Sequence, residues 1–334
     1  MNVAELSGLR EFRIVDQPPP EPGPGELLVR VAAVGICGSD MHAFGEGRVG
    51  ERQCHYPMVL GHEPSGVVER VGAGVTGWAP GHRGSLEPAI FCYHCHFCLA
   101  GRNNLCENLR FMSAESVPGF FRELVTLPAV NMLPIKAGTG LAEATLVEPL
   151  AVILHSLSIG EYQPGESAVV IGAGPIGLLT IAVLKLFGAP RVWAVEPLAH
   201  RREMARAMGA DDVLEPSEAG TLKRVAEIAF DCAAQGETVN QSLAALKGFG
   251  RLVLTGIHAD LRVNLDVHLM RRTELRLICV RRSSTEAHDA RDLLEQHLSL
   301  FAPLITHKRK LEDINNAFRL NETYGDGVGK MLIV

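Results

Sequence analysis

Ala168-Val169-Val170-Ile171-Gly172-Ala173-Gly174-Pro175-Ile176-Gly177 runs a four-residue apolar segment into G-x-G-x-x-G, and no charge appears after it until Lys185. This order reads as a buried strand, a turn and a helix, the context in which the glycine pattern gains meaning. Each glycine answers a separate demand: Gly172 permits the tight turn, Gly174 lets backbone approach a pyrophosphate, and Gly177 allows close helix packing. The N-terminus of the helix opened by Pro175 and Ile176 would then face the phosphates. An acidic residue is expected at the end of the next strand to bind ribose hydroxyls, and Glu196 follows Val192-Trp193-Ala194-Val195. A carboxylate there repels a 2′-phosphate and favours NAD over NADP; Arg201 and Arg202, a few residues on, could instead attract one. The competing reading makes the glycines a plain tight turn and Glu196 a solvated strand end. The uncharged run 168–184 imitates a membrane span, but three glycines and a proline interrupt it and it is short of the roughly 20 apolar residues a bilayer needs.

Outward from this motif, helical runs at 141–157 and 178–187 alternate with short apolar strands at 168–171, 192–195 and 252–254. Such alternation predicts a parallel sheet covered on both faces. Before residue 141 the pattern differs. Glu26-Leu27-Leu28-Val29-Arg30-Val31, Gly66-Val67-Val68-Glu69-Arg70-Val71-Gly72 and Glu123-Leu124-Val125-Thr126-Leu127 are short β-type runs between Gly/Pro turns, which suggests a barrel-like β domain. After about residue 284 come a helix at 287–298, a polar linker, a helix near 311–320 and a closing strand at 330–334. No internal repeat is visible.

The bulk properties suit this two-part reading. A chain of 334 residues, 47% hydrophobic and 21% charged, accommodates about two domains of roughly 150 residues. With 32 basic and 38 acidic residues the formal net charge is −6, so no broad positive field exists for nucleic acid or anionic lipid. Neither nucleic acid nor a membrane is an expected partner. The opening Met1-Asn2-Val3-Ala4-Glu5 lacks the features of a signal peptide, and a cytoplasmic location is expected. In a reducing compartment, eight cysteines are ligands or buried thiols before they are disulfides.

Four of them, Cys92, Cys95, Cys98 and Cys106, form C-x2-C-x2-C-x7-C. Spacing this close cannot form strain-free disulfides among all neighbours, but it can wrap four thiolates around one tetrahedral zinc. A bacterial iron-sulfur run also begins C-x2-C-x2-C, then continues with three residues and Cys-Pro; here seven residues intervene and Glu107 follows. With all four positions supplied by protein, such a zinc is structural, and His94 and His96 are exposed spacers. A second group is dispersed: Gly35-Ile36-Cys37-Gly38-Ser39-Asp40-Met41-His42, Gly61-His62-Glu63-Pro64 and Val147-Glu148-Pro149-Leu150. Singly, each has a bland account as a core thiol, a core imidazole or a surface carboxylate. Together they supply the sulfur, imidazole and carboxylates of a catalytic zinc with an open position.

In these motifs, in their order along nearly the whole chain and in the closing G-K-M-L-I-V, the sequence resembles the zinc-dependent medium-chain dehydrogenase/reductases of alcohol dehydrogenase type. It is most similar to their sorbitol, butanediol and threonine dehydrogenase branch. The resemblance implies a GroES-like β-barrel catalytic domain from residues 1–148, to which 284–334 returns, and a Rossmann doubly wound parallel-sheet domain over 149–283 that binds NAD. It implies two zincs per chain, an active site in the cleft, and a homodimer or homotetramer. Cys37, His62 and Glu63 would hold the catalytic zinc, with Glu148 reaching it directly or through water, and Asp40 would orient His62. Ser39 would take the alcohol proton and pass it toward His42. The reaction implied is oxidation of a secondary alcohol or polyol to a ketone, the metal acting as Lewis acid and the carbinol hydrogen leaving as hydride to NAD. Sugar-acid or threonine-type amino-alcohol dehydrogenation by the same mechanism is the alternative, and a non-catalytic NAD(H) sensor the rival from another class. Two departures from the polyol enzymes stand out: Ala43-Phe44, where they often carry tyrosine, and Arg281-Arg282-Ser283-Ser284, which matches their Arg-Tyr segment loosely. Cys54, Cys232 and Cys279 are expected to be structural thiols, and His155 a core histidine.

Overall fold

The computed structural model describes residues 1–114, 117–258 and 260–334. They divide into two compact units, Met1–Ala151 together with Ser284–Val334, and Val152–Ser283.

The first unit is built on a seven-stranded, mainly antiparallel sheet. Its central strand, Glu26–Gly35, pairs with Glu63–Val71 on one side and with Lys330–Ile333 on the other, while Leu124–Pro128 pairs along its first half. Gly66 is required there, because a Cβ would lie 2.5 Å from the Arg30 carbonyl oxygen of the neighbouring strand. The core under this sheet is aromatic: Phe12, Phe44, Phe121 and Phe318 pack with ring centroids 4.7 to 6.4 Å apart. Phe318 comes from the helix Ile314–Glu322, so the C-terminal tail is sealed into this unit by the burial of its apolar face. Phe44 lies wholly in that core, which explains the departure at Ala43-Phe44: these side chains fill the interior.

One sequence expectation fails here. The polar linker after residue 298 is structured, with a helical turn at Leu298–Phe301 and a strand at Ile305–Arg309. That strand alternates half-buried and exposed residues and earns its place by parallel pairing with Lys330–Ile333. A partly polar edge strand has no local signature that separates it from a loop.

In the second unit six strands, all parallel, stand in the order Asp212–Leu214, Val192–Val195, Ala168–Ile171, Ala226–Asp231, Leu246–Leu254, Arg276–Cys279. The sheet grows in both directions from Ala168–Ile171, which makes it the doubly wound arrangement expected from the alternation of helices and strands. Ala168, Val169 and Val170 are fully buried, as a strand covered on both faces requires. Run 168–184 is thus a strand and the helix Pro175–Leu186, not a span. A different stretch, Leu141–Ile159, is long and apolar enough to cross a membrane by length and composition alone, but 61% of its apolar run is buried inside the protein. It is broken at 145–146, where the sequence reading had one continuous helix.

Candidate functional site

The segment after Gly35 turns into the helix Gly38–Glu46, with Cys37 at its N-cap. Asp40, at the third helical position, accepts the Cys37 backbone N–H at 3.0 Å with one oxygen and the Gly61 N–H at 3.2 Å with the other. One carboxylate therefore caps the helix and ties it to the His62 segment. Its Oδ1 also lies 3.4 Å from His62 Nδ1. A carboxylate only accepts, so Nδ1 carries a proton and Nε2 is the nitrogen left for a metal to take. Nε2 faces Ser39 Oγ at 3.4 Å.

Donor atoms of Cys37, His62 and Glu63 lie within 4.8 Å of one another, and His62 and Glu63 are buried. Burial alone would lower the His62 pKa, but the charges of Asp40 and Cys37 beside it win and hold it well above the ordinary imidazole value. Burial likewise acts to raise Asp40, yet His62 and the two N–H donors keep its carboxyl below the usual range. A buried imidazole set between a carboxylate and a cysteine sulfur is a donor set that a cation can enter by displacing the proton. Zinc fits it: sulfur, nitrogen and carboxylate oxygen converge with no fourth protein ligand in the group.

Glu148, in the first turn of Val147–Ile159, is outside that group of three but within electrostatic reach. Burial first, then repulsion from Glu63 and Glu87, pushes its carboxyl up to about 8, against the pull of His62 and Lys330. Lys330 is the residue that sequence reasoning missed. Its ammonium forms a buried ion pair with Glu63 and donates to the Ile36 carbonyl at 3.0 Å. A lysine in an otherwise apolar closing strand, Lys330-Met331-Leu332-Ile333, was the available signal. His42 Nδ1 pairs with Glu46 at 2.7 Å, one turn along the helix, and makes no hydrogen bond to Ser39.

Cys92, Cys95, Cys98 and Cys106 converge within 4.8 Å and are free thiols. The Cys92 sulfur stands 3.5 Å from that of Cys106 and 4.0 Å from that of Cys98. Tetrahedral zinc with bonds near 2.3 Å sets sulfurs about 3.8 Å apart, so the lobe is close to ligand geometry. The His94 backbone N–H, among other donors, lowers Cys92 to about 5, while burial raises Cys98 to about 12. Backbone donors from Cys98 and Glu107 lower Cys95 as well, so thiolate is favoured at two of the four sulfurs, a charge that a bound dication would neutralise. His94 and His96 are exposed, as the spacer reading expects. Cys279 is exposed as well, a correction to its reading as a structural thiol: it ends the edge strand Arg276–Cys279.

In the second unit Gly172 has φ +91°, and a Cβ on it would lie 2.7 Å from Ala233 N. On Gly177 a Cβ would lie 1.8 Å from the Gly172 carbonyl oxygen, so both positions exclude a side chain. Gly174 caps the helix that begins with Pro175 and Ile176. Glu196 is buried, accepting the Ala173 N–H at 2.7 Å and the Leu198 N–H at 3.0 Å. It therefore braces the glycine turn, with acceptor capacity left on each oxygen for a ligand hydroxyl. Arg202 is committed to the Glu196 and Pro197 carbonyls and to Glu215, at 2.6 to 2.9 Å. Arg201 is buried with its guanidinium next to Gly174. The N-terminal N–H groups of Pro175–Leu186 beside a glycine turn that a side chain would fill form a cradle suited to a pyrophosphate.

Comparison with known proteins gives the family. Residues 23–137 match the alcohol dehydrogenase GroES-like domain, and 175–297 match the zinc-binding dehydrogenase domain. Sorbitol dehydrogenase of Bacillus subtilis strain 168 is 30% identical over 325 residues, 95% of this chain and 92% of its own. Among solved structures, a zinc-binding dehydrogenase from Sinorhizobium meliloti 1021 bound to NADP superposes with a TM-score of 0.90 at 29% identity, covering 100% of this chain and 98% of that one. An alcohol dehydrogenase from Escherichia coli CFT073 in complex with NADH gives 0.90 at 26% identity, with coverage of 100% and 99%. The chain belongs to the zinc-dependent medium-chain dehydrogenases of alcohol dehydrogenase type, with a GroES-like and a Rossmann fold. It is an oxidoreductase that uses zinc and NAD.

Proposed function

We propose that this enzyme oxidises a secondary alcohol or polyol to a ketone, with residues 1–148 and 284–334 as the catalytic part and 149–283 as the NAD-binding part. The observation that carries the reading is the convergence of the half-buried Cys37 with the buried His62 and Glu63, with Glu148 and Ser39 beside them. Cys37, His62 and Glu63 would hold the catalytic zinc, and Cys92, Cys95, Cys98 and Cys106 the structural one. Bound there, zinc would supply the Lewis acidity that makes an alcohol hydroxyl acidic near neutral pH.

The chain's own groups supply the rest. Asp40 fixes the His62 tautomer, and Lys330 offsets the charge of Glu63 where two carboxylates share one pocket. Ser39 would accept the substrate's hydroxyl proton while releasing its own; His42, half-buried on the same helix and not hydrogen-bonded to Ser39, would receive it through a bridging group and pass it to Glu46 and solvent. NAD held by the second unit would supply the hydride acceptor, so that one hydride and one proton would leave the substrate and a carbonyl would remain. Gly172, Gly174, Pro175, Ile176, Gly177 and Arg201 would line the dinucleotide's pyrophosphate, and Glu196 its ribose. The Glu196 carboxylate and the engaged state of Arg202 support NAD over NADP. A cytoplasmic location suits the eight free thiols, and a homodimer or homotetramer suits the family.

The test is elemental analysis of wild type and Cys37→Ala, with NAD reduction by diols, polyols, sugar acids and amino alcohols on the same samples. Two zincs falling to one, with polyol-dependent activity lost, is the expected result. Activity confined to sugar acids or amino alcohols would replace the substrate class. NAD binding with no turnover on any substrate and no metal change in Cys37→Ala would favour the sensor reading.

A further inference from the structure

Asp231 ends the strand Ala226–Asp231 and is buried at the carboxyl edge of the parallel sheet. Its Oδ1 accepts the Ala233 and Ala234 N–H groups at 3.1 and 2.9 Å. Its Oδ2 accepts the Thr238 hydroxyl at 2.8 Å and meets His258 Nε2 at 3.3 Å. Asp231 can only accept in this set, so in the neutral imidazole Nε2 carries the proton and Nδ1 is the acceptor. Nδ1 of His258 is buried and has no hydrogen-bond partner among the described residues. Three residues earlier, the Thr255 hydroxyl is buried without a partner too.

Two orphaned polar atoms on one segment need an explanation, because a buried polar group without a hydrogen bond costs about 1–3 kcal/mol. Their position supplies it. Ile171, Asp231 and Leu254 are aligned across three neighbouring strands, so Gly172, Cys232 and Thr255 leave the sheet side by side. Close packing joins them: a Cβ on Gly172 would strike Ala233, and one on Gly256 would lie 2.6 Å from the Ala234 Cβ. A dinucleotide lies across the switch point of such a sheet. Glu196 marks the half on one side of Ala168–Ile171, and the helix N-terminus after Gly174 marks the pyrophosphate. The nicotinamide-riboside half then falls on the opposite side, over Asp231, Thr255 and His258.

We infer that His258 Nδ1, held as an acceptor by Asp231, and the Thr255 hydroxyl are side-chain contacts to the nicotinamide-riboside half of the cofactor. The ligand group must offer an N–H or O–H to His258, which the carboxamide and the ribose hydroxyls both do. Asp231 is thereby a positioning residue and His258 the contact. The inference rests on the dinucleotide reading of this unit.

Calorimetric titration of wild type, His258→Ala and Thr255→Val with NAD, with its 3-acetylpyridine analogue and with ADP-ribose tests it without reference to turnover. The analogue has a methyl in place of the carboxamide NH2, and ADP-ribose has no nicotinamide. Loss of one hydrogen bond should weaken NAD binding to each variant about five- to tenfold. If the carboxamide is the donor, His258→Ala binds the analogue and ADP-ribose as wild type does; if the ribose is, all three weaken together. Thr255→Val leaves every Asp231 partner in place, so it gives a reading even if His258→Ala fails to fold. NAD affinity unchanged in the folded variants overturns the inference and leaves the dinucleotide reading standing. Wild type that binds neither NAD nor ADP-ribose overturns both.

Discussion

Replacing Lys330 by Met keeps the aliphatic stem and deletes the only cation that pairs with Glu63 among the described residues. The two side chains are 2% and 1% exposed, so water cannot take over the lost interaction. The variant leaves a buried carboxylate uncompensated and the Ile36 carbonyl without its donor. Breaking a buried pair by removing one partner costs about 3–5 kcal/mol. At about 2–4 °C per kcal/mol for a unit of this size, the first unit should melt roughly 6–20 °C lower. Thermal unfolding by circular dichroism, with and without chelator, measures this. In chelator the full drop should appear; with zinc restored part of it should return, because a dication at Cys37, His62 and Glu63 would take over the neutralising role. Lys330→Met/Glu63→Gln should recover most of the chelated-state loss, since no buried charge is then left over. A single-variant shift under about 3 °C, or a double variant less stable than either single, would refute the reasoning.

Other consequences are as direct. Chelator-treated protein should lose stability as pH rises from 4.5 toward 8, because the Glu148 carboxyl, raised to about 8 by burial and by Glu63 and Glu87, holds its proton in the folded state over that window while the unfolded state does not. Urea midpoints against pH should show this slope, and Glu148→Gln should flatten it; an unchanged slope in the variant would remove Glu148 as its source. Cys95→Ser should remove one zinc and make the lobe around 92–106 the first site of proteolysis, while metal at Cys37 persists; loss of both metals would show the two sites to be linked. Gly177→Ala, with a Cβ that would sit 1.8 Å from the Gly172 carbonyl, should abolish NAD binding or folding of the second unit. Wild-type affinity in that variant would exclude the glycine turn as the cofactor's seat.

Legibility in the sequence followed the distance over which each feature is determined. The strand Ala168–Ile171 was read to the residue, because an uninterrupted apolar run ending in glycine is a local signal. The helix Gly38–Glu46 was not read, although it carries Ser39, Asp40 and His42; its apolar stripe is short and its cap is a cysteine, a residue without capping preference. The strand Ile305–Arg309 escaped for a similar reason, its order coming from pairing with Lys330–Ile333 rather than from its own composition.

By itself the sequence determined the nucleotide turn and the four-cysteine lobe, since in both the chemistry is contiguous: glycines one turn apart, or sulfurs within fifteen residues, need only local backbone geometry to converge. Residue types for the second metal group were visible too, though only as scattered candidates. What tertiary structure decided was which charges face one another. Glu63 meets Lys330 from the far end of the chain, Asp40 meets His62 across a loop, and Asp231 orients His258 across two strands. The protonation, charge and free valence of buried groups are properties of their neighbours, and for these groups the decisive neighbours come from outside the local sequence.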